Sequence, residues 1–157
     1  MASAATVLLA LSGCSASQPT QEKDGSAAGT KGPGSSAPAA TVSVKTANSS
    51  LGRILVDGSG RTLYGFTKDQ KGKAGACDAD CIAVWPALTS PTVAEDGANA
   101  SLVGKIRLAE GAEQAVYGDW PLYYYVGDAT PGDVSGQGLD GEWFVIRPDG
   151  KLIKQLP

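Results

Sequence analysis

The chain has 157 residues, a net charge of −3 and a pI near 4.8. That length suits one domain plus tails, and the acidic balance argues against a nucleic-acid partner, which requires a basic face. There is no His, and the one Met is Met1, so haem ligation by His or Met, His-dependent nucleophilic hydrolysis, a blue-copper site and the usual catalytic zinc set are excluded within this chain.

Ala4 to Leu11 form an apolar stretch too short to span a bilayer. It runs into Leu11-Ser12-Gly13-Cys14, which resembles the lipobox of bacterial lipoproteins. The resemblance implies that Cys14 carries a lipid and that residues 1–13 are a lipoprotein signal segment that is removed. No Lys or Arg precedes Cys14, so the basic start of a signal peptide is missing here and its true start stays open. By that resemblance residues 14–40 would be the lipidated Cys and a linker, which is rich in Ser, Ala, Gly, Pro and Thr. Such a composition cannot bury enough apolar surface to offset its ordering entropy, so a disordered tether is expected. As a flexible coil it would span about 25–30 Å.

The folded domain is expected over 41–157, with repeat units at about 51–90 and 112–150. Thr41 to Val44 alternate and read as a first strand. Arg53 to Val56 and Arg61 to Phe66 flank Asp57-Gly58-Ser59-Gly60, a hairpin pattern. Asp78 or Asp80 can cap a short helical turn over Cys81 to Trp85. Ser101 to Leu108 read as a strand. Gly118-Asp119 forms a tight turn between Ala115–Tyr117 and Trp120–Val126. Pro148-Asp149-Gly150 turns the chain between Trp143–Ile146 and Lys151–Ile153, Pro presetting φ and Gly accepting a positive one. The fold class is therefore mostly β: a compact sandwich- or barrel-like domain of seven or eight strands, built from two pseudo-repeated β units and preceded by the tether.

The repeat is carried by the pattern Tyr-x-aromatic-x-x-Asp, present as Tyr64, Phe66, Asp69 and again as Tyr123, Tyr125, Asp128. Each copy is followed by a Trp, Trp85 or Trp143. Strand parity puts Tyr64 with Phe66, and Tyr123 with Tyr125, on one face. These four rings and the two Trp residues are expected to form a shared core across a pseudo-twofold. Each Asp ends its strand, where it can accept N–H groups of the next turn.

Over roughly residues 50–150 the chain resembles the secreted-repeat bacterial lipoprotein family defined by this motif, a family without an assigned reaction. The matching residues include Leu51 to Asp57, Gly60 to Tyr64, Cys77, Cys81, Trp85-Pro86, Pro121 to Tyr123, Pro131 to Asp133, Gly136 to Gly138 and Trp143 to Gly150. Trp120 stands where the family usually has a His, and the stretch from Gly138 to Trp143 is shorter than usual. The resemblance implies a lipid-anchored protein on the outer face of a bacterial cell membrane, and supplies no reaction.

Cys77 and Cys81 are expected to close a small structural disulfide, as oxidising compartments favour. The sharper readings are a redox dithiol, for which the Cys-x-x-Cys spacing is absent, and metal capture by two thiolates. Asp128, Asp133, Asp140, Glu142 and Asp149 could offer oxygen ligands to Ca²⁺, but their spacing matches no EF-hand, and turn capping is the expected role. Residues 51–73 carry net charge +3 and residues 117–149 net −5, which points to electrostatic matching of the two halves or to a bipolar docking surface. Trp120 and Tyr124 share a strand parity opposite to the core rings and form a candidate ligand face.

No cofactor and no metal is expected, and no catalytic residue is assigned; a carboxylate-pair glycosidase is a poor third reading. The expected function is a lipid-anchored extracytoplasmic binding or structural module. Its partners would be the membrane, through the anchor, and an envelope ligand or protein, with no nucleic acid. The alternative is an envelope redox or electron-transfer accessory using Cys77 and Cys81.

Overall fold

A computed structural model describes residues 40–108 and 111–157. The signal segment 1–13, Cys14 and the linker as far as residue 39 lie outside the described residues.

The described chain is mostly β. Its elements are β1 (Val42–Ser49), β2 (Gly52–Asp57), β3 (Tyr64–Phe66), α1 (Ala79–Val84), β4 (Thr92–Ala94), β5 (Val103–Arg107), β6 (Glu113–Tyr117), β7 (Trp120–Pro121) and β8 (Trp143–Val145). β1 pairs antiparallel with β2, from Val44 opposite Asp57 to Ser49 opposite Gly52, and parallel with β4. β3 pairs with β8, and β6 lies between β5 and β7.

Single bridges stitch these small sheets together. Val56 faces Thr62, Tyr64 faces Tyr123, Ala87 faces Tyr123, and Ile146 faces Leu152. The stitching is symmetric. Leu55 donates its N–H to Ile146 and accepts from Leu63, while Ala115 donates to Leu88 and accepts from Leu122. β1–β2 and β5–β6 are thus equivalent outer ribbons around a shared centre. β4 and β5, which end the two outer sheets, come back into contact, giving the domain a barrel-like closure.

All three expected hairpins form. At the first, Asp57 N–H donates to Arg61 O and Gly60, at φ +92°, donates to Asp57 O. A side chain would strain that left-handed backbone. At the second, Tyr117 pairs with Trp120 across Gly118-Asp119. At the third, Ile146 bridges Leu152. Several details differ from the sequence reading: the strand expected over Trp120–Val126 is a strand only at Trp120–Pro121, and the helical turn expected over Cys81–Trp85 runs over Ala79–Val84. The strand expected from Ser101 begins at Val103, because Asn99 caps a 3-10 turn over Ala100–Leu102 through its side-chain oxygen. β4 has only three residues, too few for alternation to show.

Ile54, Leu55 and Val56 are a continuous apolar run because β2 is buried on both faces. Leu55 enters an aliphatic cluster with Val44, Leu63, Leu88, Leu122 and Ile146. Ile54 and Val56 point the other way, into an aromatic cluster with Tyr64, Phe66, Trp85, Tyr123 and Trp143. Full burial of each such side chain contributes about 1.5–3 kcal/mol.

Candidate functional site

The two motif tyrosines meet at the pseudo-axis. Tyr64 N–H donates to Tyr123 O at 2.9 Å, and Tyr123 N–H donates to Tyr64 O at 3.0 Å. Around them each repeat borrows from the other. The Tyr64 strand pairs with the Trp143 strand, Phe66 lying opposite Trp143. The Tyr123 segment pairs with the segment after Trp85, through Ala87 and through Tyr124 N–H to Pro86 O. The Trp of one half therefore packs on the motif of the other half.

The rings form one stack. Phe66 lies on Trp143 at 4.2 Å, Trp143 on Trp85 at 3.8 Å with planes 3° apart, and Trp85 on Tyr125 at 4.4 Å. Tyr64 meets Trp85 edge-on at 5.3 Å, and Tyr123 meets Trp143 edge-on at 5.2 Å. Such offset and edge contacts are each worth about 0.5–1.5 kcal/mol beyond burial. The six expected rings are thus assembled across the pseudo-twofold, with Tyr125 half-buried at one end.

The motif carboxylates complete the exchange. Asp69 Oδ1 accepts Ala76 N–H at 2.6 Å and Asp128 Oδ1 accepts Ser135 N–H at 2.9 Å, each seven residues downstream. Each Asp thus ties down the whole following loop rather than the adjacent turn. The second oxygen of each carboxylate reaches toward the other repeat's tyrosine. Here the symmetry breaks.

Tyr64 Oη donates to Asp128 Oδ2 at 2.9 Å and accepts Gly136 N–H at 3.2 Å. This pair is closed. Burial and then the Asp128 charge push the Tyr64 hydroxyl far above its ordinary pKa. Tyr123 Oη and Asp69 Oδ2 are also buried, but neither has a hydrogen-bond partner of acceptable geometry. They are near enough that the Asp69 charge adds to burial in raising the Tyr123 hydroxyl. Hydrogen-bond geometry leaves this pair open where its twin is closed, with the two oxygens still close enough to act on each other and Gln114 beside the hydroxyl. Burial raises the carboxyl of Asp69, and also that of Asp128, above the usual range.

A groove of about 680 Å³ lies beside the open pair, with Tyr123 in its lining. Its wall includes Gly75 and Cys77 of the loop before α1, Ile82 of α1, Pro86, Leu108 and Gln114. Cys77 and Cys81 form a disulfide, half-buried against the aromatic cluster. Asp78 caps α1 by accepting Cys81 N–H at 3.0 Å. Gly75 lies directly on the Tyr123 hydroxyl, where a Cβ would overlap it.

Tyr124 is half-buried against the aliphatic cluster. Its hydroxyl donates to Asp57 Oδ2 at 3.0 Å, and the Arg61 guanidinium lies 4.0 Å above its ring. Trp120 is half-buried too, its side chain against Gly65. Asp57 also accepts from Ser59 N–H, Ser59 Oγ and Arg61 N–H. Burial alone would raise its carboxyl, but these donors outweigh burial and hold it below the usual value.

The acidic set is spread over separate local tasks. Asp133 accepts from Thr130 and Ala129, Glu142 pairs with Lys68, and Asp149 lies by Arg147 and Lys151. Among the described residues no three acidic or Cys side chains gather as a metal site. Lys68–Glu142 at 2.7 Å and Lys71–Asp119 at 2.6 Å join the basic stretch to the acidic one. Both pairs are exposed and individually weak. No helix among the described residues is long and apolar enough to cross a membrane.

Gly75, Gln114 and Asp57 were not singled out by the sequence reading. Gln114 is buried inside β6 and donates to Leu122 O at 3.1 Å. A polar residue directly before the apolar run Ala115-Val116-Tyr117 was its available signal. Gly75 had none, since one Gly among many does not announce what lies beneath it.

A family model described as a secreted repeat of unknown function matches residues 45–89 and 106–147. Both matched segments contain the same series: part of an outer strand, an inner strand, the Tyr motif and the Trp. Comparison with curated proteins and with solved structures gives no match.

Proposed function

This chain belongs to the family of secreted repeats of unknown function, and from that premise we propose that it is a binding module, lipid-anchored through Cys14 on the outer face of a bacterial cell membrane. The observation that carries the binding reading is the groove beside the open Tyr123–Asp69 pair. Its size is typical of small-molecule sites, and it has a mostly apolar wall with few polar groups. It also sits where the two repeats differ.

The anchor reading rests on Leu11-Ser12-Gly13-Cys14 and the linker that follows. Cys14→Ser is expected to release the domain from the membrane fraction without altering its fold. Retention of that variant on the membrane contradicts the anchor. Native mass spectrometry of wild-type protein recovered from membranes is expected to show a non-covalent small-molecule adduct. A spectrum free of adduct contradicts the binding reading.

A second reading, a redox accessory, is favoured by the place of the Cys77–Cys81 disulfide against the Trp85 stack. It predicts a reduction potential above about −300 mV, since purely structural disulfides lie below that.

A further inference from the structure

We propose that the aromatic core is a one-electron relay for peroxyl radicals, in which Tyr64 gives the electron and Asp128 takes its phenol proton. This goes beyond the binding reading and uses neither the groove nor the disulfide.

Three observations converge. First, the path is continuous and has a solvent end. Tyr125 is half-buried and stacks on Trp85 at 4.4 Å, and Trp85 stacks on Trp143 at 3.8 Å with planes 3° apart. That spacing is below the about 4.5–7 Å that ring quadrupoles prefer. Near-parallel indoles this close share a positive charge, which makes the pair easier to oxidise than one indole. The other end of the stack is Phe66, which resists oxidation, and Lys68 lies 5.9 Å over it. A positive charge is therefore held toward Trp85. Second, an electron donor touches that ring. Tyr64 is wholly buried and meets Trp85 edge-on at 5.3 Å. Third, a phenol that loses an electron becomes a strong acid and must shed its proton. Tyr64 Oη already donates to Asp128 Oδ2 at 2.9 Å, within the reach that proton transfer requires. Burial raises the Asp128 carboxyl above the usual range, so it holds a proton more readily than an exposed carboxylate does. Tyr123 meets Trp143 in the same edge-on way, but its hydroxyl lacks a bond of that geometry. The twin is the poorer donor.

The steps balance. A peroxyl radical at Tyr125 takes one electron from Trp85 across the Tyr125 ring and leaves as a peroxide anion, which takes a proton from water. Trp85 is left as a radical cation. Tyr64 returns an electron to it while the phenol proton crosses to Asp128, giving a neutral tyrosyl radical and a protonated carboxyl. Ascorbate, a one-electron donor, refills Tyr64 through the same stack, and Asp128 returns the proton. Burial keeps the tyrosyl radical from coupling with other molecules.

The test oxidises the protein with tris(bipyridine)ruthenium(III) generated by a laser flash and follows each radical by its absorption. In wild type the indole radical should decay as the tyrosyl radical rises. The rise should be slower in heavy water, because a proton moves with the electron. Tyr64→Phe should lose most of the tyrosyl signal and keep the indole radical, Asp128→Asn should slow the rise, and Tyr123→Phe should behave as wild type. With peroxyl radicals from a thermal azo initiator and ascorbate present, indole fluorescence should fade faster in Tyr64→Phe than in wild type. A tyrosyl yield that survives Tyr64→Phe overturns the relay. So does a rise in wild type that heavy water leaves unchanged, a measurement that needs no variant to fold. Equal fading of the two proteins overturns the assignment to peroxyl radicals.

Discussion

Tyr64 donates its hydroxyl hydrogen bond to Asp128 at 2.9 Å, across 64 residues and from one repeat into the other. The bond is partly buried, and Tyr64 also accepts Gly136 N–H. Removing the hydroxyl leaves a half-buried carboxylate oxygen and a backbone N–H without their partner. Tyr64→Phe should therefore cost about 1–3 kcal/mol. Urea denaturation measures it, and a change below about 0.5 kcal/mol would deny the bond any structural role.

Trp85 and Trp143 should be coupled. Each alone, changed to Ala, is expected to cost about 3–5 kcal/mol through lost burial and a cavity. Their rings are 3.8 Å apart, so the double variant should depart from the sum of the single losses. Strict additivity in a double-mutant cycle would mean that the stack contributes nothing beyond area.

The disulfide closes a very short loop. Loop-closure entropy then predicts about 2 kcal/mol lost in the paired change Cys77→Ser with Cys81→Ser. Denaturation of the reduced and oxidised wild type should give a similar difference. A loss of twice that size would mean that the bridge also holds the groove wall over Tyr123.

Asp57 sets an acid limit on stability. Its folded pKa is depressed, since donors from Ser59, Arg61 and Tyr124 outweigh the effect of burial. Its contribution is present above the unfolded carboxyl value near about 4 and is lost as pH falls through the lower folded value. Asp57→Asn should be less stable than wild type at neutral pH, and the gap should close as pH falls through the depressed folded value. Thermal melts across that range test it. A gap that widens toward acid contradicts the assignment.

Much of the scaffold was legible in the sequence because it depends on parity and turn chemistry. Tyr64 with Phe66 and Tyr123 with Tyr125 share faces by alternation, and they meet the two Trp residues as that alternation requires. Asp57-Gly58-Ser59-Gly60, Gly118-Asp119 and Pro148-Asp149-Gly150 announce their hairpins locally. The partners of the carboxylates were not legible. A local reading assigns Asp69 and Asp128 to the adjacent turns, whereas each binds a loop seven residues on and faces a tyrosine of the opposite repeat. Nor could alternation reveal that Tyr124 lies beneath Arg61 and bonds Asp57, since those contacts come from a distant hairpin. The groove is walled by segments distant in sequence, from Gly75 to Tyr123, so no local pattern announces it.

The central claim is that one motif pair is closed and the other open. Comparing Asp128→Asn with Asp69→Asn by urea denaturation at pH 7 tests it most directly. In Asp128→Asn the amide cannot accept from Tyr64 while still accepting Ser135 N–H, so a loss of about 1–2 kcal/mol is expected. In Asp69→Asn the amide oxygen keeps Ala76 N–H and the amide nitrogen gains Tyr123 Oη as an acceptor. Both changes also remove a charge whose carboxyl burial raises above its unfolded pKa, so the difference between the two variants reads the hydrogen bonds. That penalty exists at neutral pH and disappears as pH falls below the unfolded value. Asp69→Asn should therefore be neutral or stabilising at pH 7, with its advantage fading toward acid. Equal losses in the two variants, or a larger loss in Asp69→Asn, would contradict the account.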